Sequence, residues 1–139
     1  MPLSNDVIGL CNDPNAVKIL AFSSKENGLH LMHVDSMMAT DPSTIILANV
    51  RMKEADKNLI QAMSSGELVS VLSAATIKKA LKAYQVKCTI KEFQTTGPLY
   101  DKFLDQLKTR SSDLEGVWIL EPVEVIDRTP GPNFGKTIM

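Results

Sequence analysis

The chain has 139 residues, a formal net charge of −1 and 44% hydrophobic residues, with an isoelectric point near 6.1. That length suits one domain over 1–139, burying about two thirds of the surface its unfolded chain exposes. The near-neutral balance offers no basic field to draw nucleic acid or an anionic membrane. No run approaches the ~20 apolar residues of a membrane helix, and MPLSNDVIGL carries no basic leader, so the cytoplasm is the expected compartment.

Ser4, Asn5 and Asp6 are good caps for a short helix over Asn5 to Cys11, which Asn12, Asp13 and Pro14 stop. The run AVKILAFS, Ala16 to Ser23, is β-compatible. KENG, Lys25 to Gly28, supplies turn chemistry before a second extended run from Leu29 to Met38, so the two runs read as a hairpin. ATDPST is a further turn, and TIILANV, Thr44 to Val50, is the most strand-like stretch. Its unbroken apolar character predicts a central strand buried on both faces.

Met52, Ala55, Leu59, Ala62 and Met63 recur at helical spacing and Gly66 ends the pattern, which predicts a helix over Lys53 to Ser64. LVSVLSA, Leu68 to Ala74, reads as a strand, whereas ATIKKALKAY, Ala75 to Tyr84, fits a helical turn or a basic loop equally well. From Tyr84 to Ile90 apolar and polar residues alternate, the mark of a strand with one wet face. Phe93 breaks the alternation by one place, which predicts a β-bulge and a curved strand. Pro98 opens a second amphipathic helix running to about Thr109, with Leu99, Phe103, Leu104 and Leu107 on one face.

The last strand, Val117 to Ile126, holds Pro122 and is expected at an edge or bent there. The tail from Asp127 onward is rich in turn residues. The sum is a mainly β protein with helices: an antiparallel, six-stranded small barrel with two to three helices.

Recognisable catalytic motifs are lacking: the chain has no GxSxG, Walker loop, HExxH or CxxC. Cys11 and Cys88 match no metal spacing and read as buried free thiols. His30 and His33 lie three apart in an extended run and face opposite sides of it, so they do not chelate one ion. Asp35 and Ser36 end that run and either point into a pocket or begin a turn. Lys78, Lys79 and Lys82 are explained most simply as a solvated cluster. At the start of the helix over Lys53 to Ser64, four unpaired amides together with Arg51, Lys53 and Lys57 form one recipe for a phosphate site. Glu54 and Asp56 in the same turn are what a helix without an anion favours.

In this order the features resemble the flavin mononucleotide (FMN)-binding split barrels related to pyridoxamine 5′-phosphate oxidase. The resemblance spans nearly the whole chain. It rests on VKILAFSSKENGLHL as the opening hairpin, DPSTIILANVRMKEADKNL as third strand and helix, YQVKCTIKEFQTTGPLYDKFLDQL as long strand and helix, and VWILEPVEVIDRTPGPNFGKTI as closing strand and tail.

The resemblance implies a homodimer with FMN at the subunit interface. It further implies Val34, Asp35 and Ser36 beside the flavin ring, and Asn49, Val50, Arg51, Met52 and Lys53 at the phosphate. Asn58 matches an asparagine early in the family's helix and orders the turn. Glu54 and Ala55 stand where the family commonly has Lys-Thr, and Cys88 where it often has glycine. Two functions therefore stay open: an FMN-dependent oxidoreductase acting on a small molecule, in which the flavin carries the electron chemistry, and a flavin-less split barrel that serves as a binding or interaction module.

Overall fold

The computed structural model describes residues 2–24, 28–34, 36–50, 53–107 and 114–138, and among these it leaves the side chains of 24, 49, 50, 53–56, 106 and 107 undescribed. The element order is α1 (Asn5–Asn12), β1 (Val17–Ser24), β2 (Gly28–His33), β3 (Met37–Asp41), β4 (Thr44–Val50), α2 (Lys53–Ser65), β5 (Val69–Ile77), β6 (Ala80–Gln94), α3 (Pro98–Leu107) and β7 (Leu114–Asp127). All strand pairs are antiparallel, in one seven-stranded sheet of order β2-β1-β5-β6-β7-β4-β3.

Consecutive strands β2 and β3 thus lie at opposite ends of the sheet. Laid flat, seven strands at ~4.8 Å spacing would hold their outer members roughly 29 Å apart. Residues 34–36 link them, and a link that short reaches about 14 Å from His33 to Met37 even when fully extended. The sheet must curl until its two edges meet, which makes a barrel with one seam, and no ladder joins β2 to β3 among the described residues.

Seven strands replace the expected six because the single extended run from Leu29 to Met38 is two strands. The first half pairs with β1, Ile19 opposite His33; the second pairs with β4, Met37 opposite Leu47. The break falls at Asp35 and Ser36, where a turn is one of the two readings of the sequence and where Ser36 is in a turn; with neither glycine nor proline in MHVDSMM, nothing there shows that the two halves go to opposite edges. The stretch left open between helix and loop is neither. β5 and β6 pair out to Ile77 opposite Ala80, joined by Lys78 and Lys79 at φ 51° and 67°. Positive φ at both central residues is what a type I′ hairpin requires, and it is seldom met without Asn or Gly.

β4 is buried on both faces, as its composition predicts. Ile45 and Leu47 point into the barrel core with Leu20, Val86, Trp118 and Leu120, while Ile46 and Ala48 pack outside it with Phe103, Val117 and Ile119. The bulge expected near Phe93 is present: β6 advances from Ile90 to Glu92 while β7 steps by one residue, from Leu120 to Ile119.

β7 is central, not an edge, yet Pro122 sits where it is tolerated. β4 pairs with β7 only as far as Leu120, so beyond that residue the ladder continues on the β6 side alone. A register shift between Lys87 and Cys88 bends the pair at Pro122. The tail closes back on this free side through an Ile126–Thr137 bridge and an Ile138 N–H to Val125 carbonyl bond of 2.8 Å. Among the described residues no helix is long and apolar enough to cross a membrane.

Candidate functional site

Of the ring and phosphate candidates, the described residues Val34, Ser36, Asn49 and Val50 lie on the link across the seam or on β4, next to the edge strand β3. The Val34 N–H donates to the Lys18 carbonyl at 2.9 Å, extending the β1–β2 ladder by one step, and the Val34 side chain, 7% exposed, belongs to the barrel core. Ser36 is half-buried, and its carbonyl accepts the Ala48 N–H at 3.4 Å. The end of the link therefore lies against the C-terminal half of β4. Next along β4, Asn49 pairs with Gly116 and Val50 with Leu114 on β7, and α2 begins at Lys53.

The structure thus brings Ser36 beside Ala48, one residue before Asn49, and sets the first turn of a 13-residue helix three residues beyond Val50. Asp35, Arg51 and Met52 lie outside the described residues, as do the side chains of Asn49, Val50, Lys53, Glu54 and Ala55. The first turn of a helix leaves amides without an intrahelical partner and carries the positive end of the helix dipole, the backbone frame that suits a phosphate-bearing ligand.

Two residues that organise this region carry no obvious signal in the sequence. Lys18 is 5% exposed and its Nζ donates to the Met37 carbonyl at 3.1 Å, so an ammonium on β1 reaches across the seam to β3. Its clue is register: Lys18 shares a face with the inward Leu20 and Phe22, but β1 is apolar on both faces and hides which is inside. Asn12, which reads as a helix stop, uses its amide on the open edge of β3. Its Nδ2 donates to the Ala39 carbonyl at 3.0 Å and its Oδ1 accepts the Ala39 N–H at 2.7 Å.

The two histidines face opposite sides of β2. His30 stacks on Phe22, ring centroids 5.3 Å apart, with its buried Nε2 unpartnered among the described residues; His33 is exposed. No group of three or more metal-ligating side chains occurs among the described residues. Cys11 and Cys88 are buried free thiols, and burial pushes both thiol pKa values up. Lys78, Lys79 and Lys82 are all exposed.

The outer face of β2, β1, β5 and β6 bears an apolar depression of about 470 Å³, lined by Ile19, Leu31, Leu72 and Leu81. Its polar margin is a relay in which Arg128 Nε donates to Gln85 Oε1 at 3.0 Å and Gln85 Nε2 donates to Ser70 Oγ at 3.0 Å. Leu29 and Leu31 on the edge strand β2 are 86% and 74% exposed beside it.

No family model and no curated protein matches the chain by sequence. Solved structures do match it in shape. HupZ from Group A Streptococcus superposes with a TM-score of 0.72 at 19% identity, covering 96% of this chain and 99% of that one. An FMN-binding protein from Syntrophomonas wolfei gives 0.74 at 13% identity over 90% and 85%. A pyridoxamine 5′-phosphate oxidase-like protein from Lactobacillus delbrueckii gives 0.65 at 20% identity over 89% and 93%. The chain shares its split-barrel fold with these proteins.

Proposed function

We propose that the chain is an FMN-binding flavoprotein, working as a homodimer with the flavin at the subunit interface and catalysing oxidation or reduction of a small molecule. The observation that carries this reading is the convergence at the seam: the Ser36 backbone is bonded to Ala48 near the end of β4, and α2 starts three residues beyond that strand. In this reading Asp35 and Ser36 border the ring, with Val34 fixing the backbone. Asn49, Val50, Arg51, Met52 and Lys53 surround the phosphate. The flavin, when bound, supplies the hydride or electron chemistry.

The donor set fits a phosphate. Arg51, Lys53 and Lys57 outnumber Glu54 and Asp56 around the first turn of α2, and the helix amides add to the cations. The second subunit belongs on the depression, because large exposed leucines on an edge strand beside an apolar hollow are the surface that association covers. A C2 pairing would apply the same patch from both sides.

Titration of the desalted protein with FMN, followed through the visible flavin bands near ~450 nm, tests the reading. Saturable binding at micromolar flavin supports it. Absence of binding favours the other reading, a flavin-less binding module, for which Glu54 and Ala55 in the first turn of α2 are the specific sequence features.

A further inference from the structure

Lys18 grips both ends of the link that closes the barrel. Its carbonyl takes the Val34 N–H at 2.9 Å, and its ammonium reaches the Met37 carbonyl at 3.1 Å. These two residues bracket the segment that passes from one edge of the sheet to the other. The grip at Val34 is ordinary strand pairing that any residue at position 18 would supply. The grip at Met37 needs this side chain, long enough to cross the seam and able to donate at its tip.

Placing an ammonium at 5% exposure is costly unless its protons are taken up, and its stem lies on the inward face of β1 with Leu20 and Phe22. An apolar side chain would fill that space without the desolvation cost. What the lysine adds is a directional tie between opposite edges of the sheet. No ladder of backbone bonds ties them among the described residues.

We propose that Lys18 is a positioning residue: its ammonium, bonded to the Met37 carbonyl across the seam, fixes the backbone at Ser36 and Met37 and thereby the ring side of the candidate site. The effect on ligand binding rests on the flavin reading; the tie across the seam does not. Ser36, within the tied segment, is held on its other side by the Ala48 N–H, so slack at Met37 passes to the backbone facing β4.

The test compares the full-length parent with Lys18→Met, which keeps length and burial but donates nothing, using hydrogen exchange of individual amides and FMN titration. Exchange at residues 36–39 and at Ala48 is expected to rise about 10-fold or more, while the β5–β6 amides keep their parent rates. FMN affinity is expected to fall by about 10-fold. Unchanged exchange at 36–39, or an equal rise in all strands, overturns the tie. Raised exchange at the seam with unchanged FMN affinity overturns the positioning role. A parent that binds no FMN refutes the flavin reading and the positioning role that rests on it, and exchange alone then decides the tie. Should Lys18→Met not fold, Lys18→Leu, shorter and likewise without a donor, takes its place in the same measurements.

Discussion

Asn12 and Ala39 exchange two hydrogen bonds, the Asn12 Nδ2 donating to the Ala39 carbonyl at 3.0 Å and the Ala39 N–H donating to the Asn12 Oδ1 at 2.7 Å. A side-chain amide at the end of α1 thereby does for the open edge of β3 what a neighbouring strand would do. Unpaired edges invite association with other chains, and at this seam the last helical residue of α1 closes one.

Asn12→Ala removes both bonds and leaves the Ala39 N–H and carbonyl to find water. The expected loss is about 1 to 2 kcal/mol, read as a lower urea midpoint with an unchanged slope. Asn12→Asp keeps the acceptor and loses the donor, so it should fall between. An Asn12→Ala protein as stable as the parent would show that the edge does not need this cap.

Gly116 is required by packing, not by backbone conformation. A Cβ there would approach Cε1 and Cε2 of Phe93 to 2.8 Å and Cζ more closely still, and Phe93 is itself held against Trp118, ring centroids 4.5 Å apart. Gly116→Ala should cost about 1 to 3 kcal/mol by overpacking. In a Phe93→Ala background the same change should cost much less, a non-additivity read from the four proteins of the cycle. Equal costs in both backgrounds would remove the ring as the cause. Because Gly116 pairs with Asn49, the strain also acts on the end of β4 that borders the candidate site.

Asp41 ends β3, and its Oδ1 accepts the Ser43 N–H at 2.8 Å and the Ser43 hydroxyl at 3.0 Å. The backbone bond from Ser43 is the largest influence holding its carboxyl below the ordinary aspartate value. The folded pKa lies below the unfolded one, so the stabilisation is present above the ordinary aspartate range and is lost as pH falls through the folded value. The stability difference between parent and Asp41→Asn should therefore narrow on acidification from about pH 5 to about pH 2. A constant difference over that range would contradict the assignment.

Leu31, 74% exposed and lining the apolar depression, belongs to the proposed subunit contact. Leu31→Asp places a charge there that a dry interface would not accept without a partner. The dimer should weaken by 10-fold or more on the scale of a buried side chain in a contact centre, seen as a shift to the monomer in sedimentation at micromolar concentration. An unchanged association state would move the contact elsewhere.

How much of this was legible in the sequence depended on how local the cause was. The two-faced burial of β4 follows from Ile45 to Ala48 being apolar without interruption. The bulge in β6 follows from the phase change at Phe93, because side-chain direction alternates with period two. A turn at Asp35 and Ser36 was one open reading, but the placing of the two halves of Leu29–Met38 at opposite edges was not legible, since its cause is closure of the whole sheet. The same holds for the Lys78–Lys79 turn, where two lysines take the left-handed backbone that Asn or Gly signals in other hairpins. Pro122 announced the bend, which the register shift at Cys88 supplies, but not that β7 is central, because the ladder on its free side ends at Leu120, a fact of strand length that no local pattern records.

At the site, the turn from β4 into α2 could be anticipated from the strand run and the helical spacing that follows it. The roles of Lys18 and Asn12 could not: each acts on backbone 19 or 27 residues away in sequence, through bonds that exist only once the seam has formed.

The central claim, flavin held between two copies of this chain, is tested most directly by sedimentation velocity of protein with substoichiometric FMN, recorded at ~450 nm, where the protein itself does not absorb. The account predicts a single 450 nm boundary moving with a species of about twice 15.3 kDa, and loss of that boundary in Leu31→Asp. Flavin that stays unsedimented, or that travels with a 15.3 kDa monomer, would contradict it.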